Sequence, residues 1–174
     1  AHGKRVGVVG TGASAVQLIP AVAPDAAALT VFQRTPTWVM PKGDHEIAES
    51  TSERYERRPA LMKALRAKIR TSNESRALAF VKQPALMKAV SLRARAHLRS
   101  SVDDPQLRAR LTPSHTLGCK RIPLSDDYLE TFNRRNVKLE TGELIAADAT
   151  GVVTADGTHH PLDLLAVSYT HLML

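Results

Sequence analysis

The sequence predicts an α/β fold in which a doubly wound parallel sheet is interrupted by an all-helical insert. Three observations carry this. Two short runs rich in β-branched residues, Lys4 to Val9 and Leu29 to Gln33, flank a helical stretch that opens at Ala13. A middle segment from Ser52 to Leu111 contains no glycine and repeats apolar residues at helical spacing. Beyond it the chain returns to short apolar runs. With 174 residues, 43% of them hydrophobic and 24% charged, the chain has enough apolar surface for an ordinary core, which excludes a disulfide-stapled miniature and wholesale disorder.

The elements follow in order. Lys4-Arg5-Val6-Gly7-Val8-Val9 reads as a buried parallel strand ended by Gly10, and Ala13 to Ile19 as the helix after it. Pro24-Asp25 breaks the chain before the second strand, completing a βαβ unit. Thr35 to Gly43, with two prolines and a glycine, suits a connection leaving the sheet. In the insert, Leu61, Leu65 and Ile69 form one apolar stripe and Met87, Val90, Ala94 and Leu98 another. Pro59, Pro84 and Pro105 divide it, and Asp104-Pro105 reads as an N-cap with Pro at the first helical position. A loop from Thr112 to Pro123 follows, then a short helix capped by Ser125-Asp126-Asp127 and running to about Arg134. Asn136 to Leu139 begins a strand, Gly151 to Thr158 reads as a hairpin turning at Asp156-Gly157, and Leu162 to Val167 is the last apolar strand.

The formal net charge is +7, and between Glu53 and Leu111 stand 15 Lys and Arg against 5 Asp and Glu, so the excess belongs to the helical segment. That raises a basic nucleic-acid-binding module as an alternative. Tyr55 and Phe80 are the aromatic residues there, which leaves little for base stacking, and arginines opposite an apolar stripe form a solvated face; no nucleic-acid partner is expected. The longest apolar run is far short of a membrane span. A single cysteine, Cys119, read as a small buried filler, and the lack of a basic-then-apolar leader point to a reducing cytoplasmic setting. The chain opens at Ala1 without Met, as a piece cut from a longer protein would.

Gly10-Thr11-Gly12-Ala13-Ser14-Ala15 fits G-x-G-x-x-[G/A] between a strand and a helix, the context of a Rossmann-like dinucleotide-binding turn. Gly10 allows the tight turn, Gly12 lets backbone N–H groups approach a pyrophosphate, and Ala15 permits close helix-to-strand packing, with the anion at the helix N-terminus. The other reading is a tight turn without ligand. At the end of the second strand, 24 positions past Gly10, stands Arg34 instead of the carboxylate that would accept from a ribose 2′-hydroxyl. A guanidinium takes a 2′-phosphate bidentately, so the cofactor expected is NADP; the alternative is an exposed charge paired with a neighbouring acid.

These blocks together resemble the class B flavoprotein monooxygenases, the group of the Baeyer–Villiger and flavin-containing monooxygenases. Gly3 to Gln17 is similar to the family's second, NADPH-binding glycine motif, and Val31-Phe32-Gln33-Arg34-Thr35-Pro36 to its 2′-phosphate segment, continued by Trp38-Val39-Met40-Pro41. Gly118-Cys119-Lys120-Arg121, then Ser125-Asp126-Asp127-Tyr128 and Asn136-Val137, resembles the stretch that brings an arginine to the flavin. Glu74-Ser75-Arg76, Ala96-His97-Leu98 and Asp104 to Arg108 stand in family-like positions, and the likeness covers roughly residues 3 to 165.

The resemblance implies an enzyme using two dinucleotides, NADP and FAD: NADPH reduces the flavin, which activates dioxygen, and one oxygen atom enters a ketone or a soft nitrogen or sulfur centre. Small-molecule substrate and dioxygen are the implied partners. By residue, Gly10, Thr11, Gly12, Ala13 and Ser14 would hold the NADP pyrophosphate, and Arg34, Thr35 and Lys120 its 2′-phosphate. Arg121 is the catalytic candidate, a permanent cation beside an anionic oxygenated flavin. The residues alone also allow Arg121 a structural salt bridge with Asp126 or Asp127. The resemblance assigns residues 1–43 and 112–167 to a Rossmann-like NADP-binding domain, 44–111 to the helical insert and 168–174 to a tail foreign to the family. The family's FAD-binding domain and its fingerprint before the second glycine motif are absent, so most of the FAD site is expected outside this fragment.

A flavin-linked reductase remains the other enzymatic reading, since it shares the glycine turn without needing the Gly-Cys-Lys-Arg block. His159-His160 lacks the Cys or carboxylate company of a metal site, and no metal is expected. His97 and His115 read as packed or solvated, and Trp38 either packs the connection or faces the cofactor.

Overall fold

The computed structural model describes residues 1–82 and 84–168, with only the backbone described at 76–82 and 84–87. Residues 169–174, most of the expected foreign tail, and the side chains of Arg76, Phe80 and Met87 therefore lie outside the described residues. The chain forms two compact units: residues 1–42 together with those from Arg93 onward, and Gly43–Leu92.

The first unit is built on a parallel sheet of β1 (Arg5–Val9), β2 (Ala28–Phe32), β3 (Val137–Glu140) and β7 (Leu164–Val167), in the order β3-β2-β1-β7. Val6 pairs with Leu29 and Val8 with Val31, so alternate β-branched and leucine side chains of the two strands enter one core. Helix α1 (Ala13–Val22) lays Ala15, Val16 and Ile19 into that core, all essentially buried. A fully buried Val, Leu or Ile contributes about 1.5–3 kcal/mol, which makes this strand–turn–helix the stable frame for what its turn presents.

A second sheet, β4 (Leu144–Ala147), β5 (Gly151–Thr154) and β6 (His159–Pro161), is antiparallel in the order β4-β5-β6. The hairpin between β5 and β6 turns at Asp156-Gly157, as the Asp-Gly pair predicts. Phe32, Val152 and Leu162 form a small core of their own, and the ring of His160 meets Phe32 edge-on at 5.3 Å. β4 has no counterpart in the sequence reading. Helix α6 (Tyr128–Thr131) stops short of the expected Arg134; its first turn is capped by Ser125, whose Oγ accepts from the Tyr128 N–H at 3.1 Å.

Helix α2 (Glu49–Arg57) is followed by three helices that begin where their prolines stand: α3 (Pro59–Lys82), α4 (Pro84–Ser101) and α5 (Pro105–Leu111). Proline disfavours helix for the residue before it and fits the first helical position, so it ends one helix and starts the next. The Asp104 carboxylate caps α5, accepting from the Gln106 N–H at 2.9 Å. Within Gly43–Leu92, α2 buries no residue and surface pairs Arg57–Glu53 and Arg70–Glu74 decorate the helices. The packing boundary falls at Leu92 and not at Leu111, where the sequence ended the insert. Ala94, Leu98, Val102 and Leu111 are buried, the last three in the core that holds β1 and β2. Helical spacing continues past Leu92, so the sequence shows no break there.

Candidate dinucleotide site

β1 ends at Gly10, whose φ of +106° lets the backbone reverse and whose N–H donates to the Phe32 carbonyl at 3.0 Å. The chain enters α1 at Gly12, in extended conformation (φ −77°, ψ −176°). No side chain caps α1, unlike α5 in the same unit, and no acidic residue stands in its first turn. The donors at this end are thus left to face outward with the positive end of the helix dipole. A Cβ on Gly12 would meet nothing within 4 Å, so the protein itself makes no demand for glycine there. Ala13 is half-buried, and the exposed Ser14 hydroxyl makes no hydrogen bond among the described residues. Ala15 is fully buried, as the close helix-to-strand contact requires.

Arg34 stands two residues past the end of β2, exposed, and its guanidinium has no hydrogen bond or ion pair among the described residues; the neighbouring acid of the alternative reading is not found. The strand end beneath it is fixed. Gln33 is 2% exposed, its N–H donates to the Glu140 carbonyl at 2.7 Å, and its Nε2 donates to the Arg110 carbonyl at 2.9 Å. Arg110 in turn donates to the Leu139 carbonyl at 2.6 Å. The segment after β2 also reaches the glycine turn, because the Thr11 hydroxyl donates to the Thr35 carbonyl at 2.9 Å.

Farther along the same segment Trp38 is buried, so it packs the connection. Its indole N–H donates to the His115 carbonyl at 2.8 Å, the Arg95 guanidinium lies 5.8 Å from its ring centre, and the His115 ring stands against it at 6.5 Å. Met40 and Leu124 form a parallel bridge, with the Met40 N–H donating to the Pro123 carbonyl at 3.1 Å. The loop carrying Lys120 and Arg121 is thus anchored on both sides by the segment that follows Arg34. Lys120 and Arg121 are exposed, and neither side chain has a hydrogen bond or ion pair among the described residues, so Arg121 is not locked to Asp126 or Asp127. Neither is bonded to the glycine turn. Cys119, expected buried, is exposed beside Gly118, where φ is +99° and the loop turns outward. Sequence reasoning missed Gln33, Arg95 and Arg110 as supports, because their partners lie far along the chain.

His97 is packed, its Nε2 3.1 Å from the Ser125 carbonyl and its Nδ1 3.3 Å from the Ser101 hydroxyl. His159 stands 3.3 Å from Asp148, whose carboxyl is lowered to about 2 by the Thr150 hydroxyl and the N–H groups of Thr150 and Gly151. At the start of β1 the Arg5 guanidinium and N–H hold the Asp163 carboxyl well below the usual carboxylate range, at 2.6 and 2.7 Å. Among the described residues no three His, Cys, Asp or Glu side chains gather where they could hold a metal ion, and no helix is long and apolar enough to cross a membrane.

A mixed α/β unit with a parallel sheet and this turn defines the class, and comparison narrows it. A Baeyer–Villiger monooxygenase of Pseudomonas aeruginosa is 39% identical over 163 residues, covering 94% of this chain and 31% of that protein. Among solved structures, an open form of cyclohexanone monooxygenase superposes with a TM-score of 0.80 at 27% identity over 97% of this chain and 40% of the other. An oxidized steroid monooxygenase bound to NADP gives 0.79 at 30% identity, over 95% and 38%. No family profile matches the chain. The chain belongs to the class B flavoprotein monooxygenases and spans about a third of the length of the curated relatives it matches.

Proposed function

We propose that the chain is part of an NADPH- and FAD-dependent monooxygenase that inserts one oxygen atom of dioxygen into a ketone, or into a soft nitrogen or sulfur centre, and that its sheet unit is the Rossmann-like NADP-binding domain. The carrying observation is the pairing of an uncapped helix N-terminus, open above Gly12, with an Arg34 that has no partner among the described residues. These residues fit the cofactor: a pyrophosphate needs outward N–H donors and space without a Cβ, and a 2′-phosphate needs an uncommitted cation. The relatives named Baeyer–Villiger monooxygenase favour a ketone as substrate, and the exposed free thiol of Cys119 suits a reducing cytoplasm.

When bound, NADPH supplies a hydride and FAD the activation of dioxygen. The residues of this chain bind and position. Gly10 shapes the turn, the N–H groups of Gly12, Ala13 and Ser14 receive the pyrophosphate, and Arg34, with Thr35 and Lys120, receives the 2′-phosphate. Arg121, whose side chain has no carboxylate partner among the described residues, would offer a positive charge to the oxygen-reacting centre. The test is a paired titration of the 174-residue chain with NADP⁺ and NAD⁺, followed by thermal unfolding, alongside Arg34→Ala. Stabilisation by NADP⁺ that exceeds that by NAD⁺, with the excess lost in the variant, is the expected result. Stabilisation of wild type and variant to the same extent by both nucleotides overturns the assignment of Arg34.

A further inference from the structure

Thr11 occupies the first x position of the glycine turn, where the side chain has no required role in receiving a pyrophosphate. Its hydroxyl donates to the Thr35 carbonyl across a part-buried 2.9 Å contact between residues 24 apart. Among the described residues this is the one hydrogen bond that reaches residues 34–37. On either side the backbone is tied elsewhere, Gln33 to Glu140 and Met40 to Pro123. Pro36 cannot donate from its backbone, so the segment has few other means of being held.

We infer that Thr11 is a specificity-positioning residue, a latch that holds the Arg34–Thr35 segment in register with the phosphate-binding turn so that one nucleotide can engage both. The inference rests on the NADP reading above. NADP uses the turn through its pyrophosphate and Arg34 through its 2′-phosphate, and the two anchors help each other only if their spacing is set before binding. Without the latch, the segment carrying Arg34 must be ordered when the ligand arrives, which weakens NADP binding. NAD, having no 2′-phosphate, does not call on Arg34 and escapes that loss. A hydroxyl that served the pyrophosphate directly, or merely stabilised the turn, would affect both nucleotides alike. A latch acting through Arg34 would instead affect NADP alone.

The experiment is calorimetric titration of the 174-residue chain with NADP⁺ and with NAD⁺, for wild type, Thr11→Val, Thr11→Ser and Arg34→Ala. Val keeps the shape and loses the donor; Ser keeps the donor. Thr11→Val is expected to weaken NADP⁺ by about threefold to tenfold more than it weakens NAD⁺, the range of one lost hydrogen bond, and Thr11→Ser to restore the preference. NAD⁺ binding serves as the control for folding in every variant. In the double variant Thr11→Val/Arg34→Ala the Thr11 effect should vanish. Equal weakening of both nucleotides by Thr11→Val, or an effect that persists without Arg34, overturns the latch while leaving the NADP reading intact. Arg34→Ala binding NADP⁺ as well as wild type overturns that reading and the latch with it.

Discussion

Replacing Gly12 by Ala separates a turn built for a ligand from a turn built only for the fold. The backbone of Gly12 is extended, with φ −77° and ψ −176°, which alanine adopts without strain, and its Cβ would have nothing within 4 Å. The substitution should then stabilise the free chain by about 0.4–1 kcal/mol, through reduced freedom of the unfolded state. At about 2–4 °C per kcal/mol for this size, Tm rises by about 1–4 °C. The new methyl group stands where an anion would approach the α1 N-terminus. Loss of one charge-assisted hydrogen bond there costs about 1.5–3 kcal/mol, roughly a tenfold or greater rise in Kd. With NADP⁺ at about one hundred times the wild-type Kd, ligand stabilisation should drop from about 2.7 to no more than about 1.4 kcal/mol. Thermal unfolding with and without NADP⁺ reads both effects in one assay. Gly10→Ala is the contrasting variant: with φ at +106° it should destabilise the free chain, by about 1–3 kcal/mol. A lowered Tm for Gly12→Ala, or an undiminished NADP⁺ shift, would refute the argument that the space above Gly12 is kept for a phosphate.

Arg121→Ala, made in the whole enzyme, should lower oxygenated product by about 100-fold or more while flavin reduction by NADPH persists; undiminished product yield would make Arg121 a surface residue. The Asp163 carboxyl lies below its unfolded value because of Arg5, so its stabilisation is complete above about pH 4–5 and lost as pH falls through the native value. Asp163→Asn should therefore destabilise the chain at neutral pH and flatten the acid limb of a stability-against-pH curve, and an unchanged limb would place the acid sensitivity elsewhere. Tyr128 is 1% exposed, its hydroxyl has no partner among the described residues, and burial raises its pKa. Tyr128→Phe keeps the edge-on contact with Phe132 at 5.3 Å and should raise stability by up to about 1 kcal/mol, measured by denaturant unfolding; a loss of stability would mean that the hydroxyl is satisfied in solution.

What could be read from the sequence was local. The strand–glycine turn–helix, the breaks at Pro59, Pro84 and Pro105, the Asp104 cap and the Asp156-Gly157 hairpin each depend on residues within a few positions of one another, and each is in the structure. β4 escaped because Leu144-Ile145-Ala146-Ala147 is four residues long, shows no alternation and leaves Ile145 exposed. Glycine spacing and the position of Arg34 marked candidate binding residues. Nothing local shows that the Trp38 indole would find the His115 carbonyl 77 residues away, or Thr11 the Thr35 carbonyl. Those links depend on where the sheet puts the end of β2, which is a property of the folded chain.

The position of β1 also sets a timetable for synthesis. It lies between β2 and β7, so one edge of this central strand pairs at once with its neighbour in sequence while the other waits for Leu164–Val167. At about 5–20 residues per second, a ribosome leaves that apolar edge unpaired for on the order of ten seconds or more. A nascent chain carrying Val6, Val8 and Val9 on an open edge is an invitation to strand-to-strand association with other chains. Chaperone demand during expression, and the yield of any truncation that removes β7, should follow from this single adjacency, because closing the sheet is a contact between the beginning and the end of the described chain.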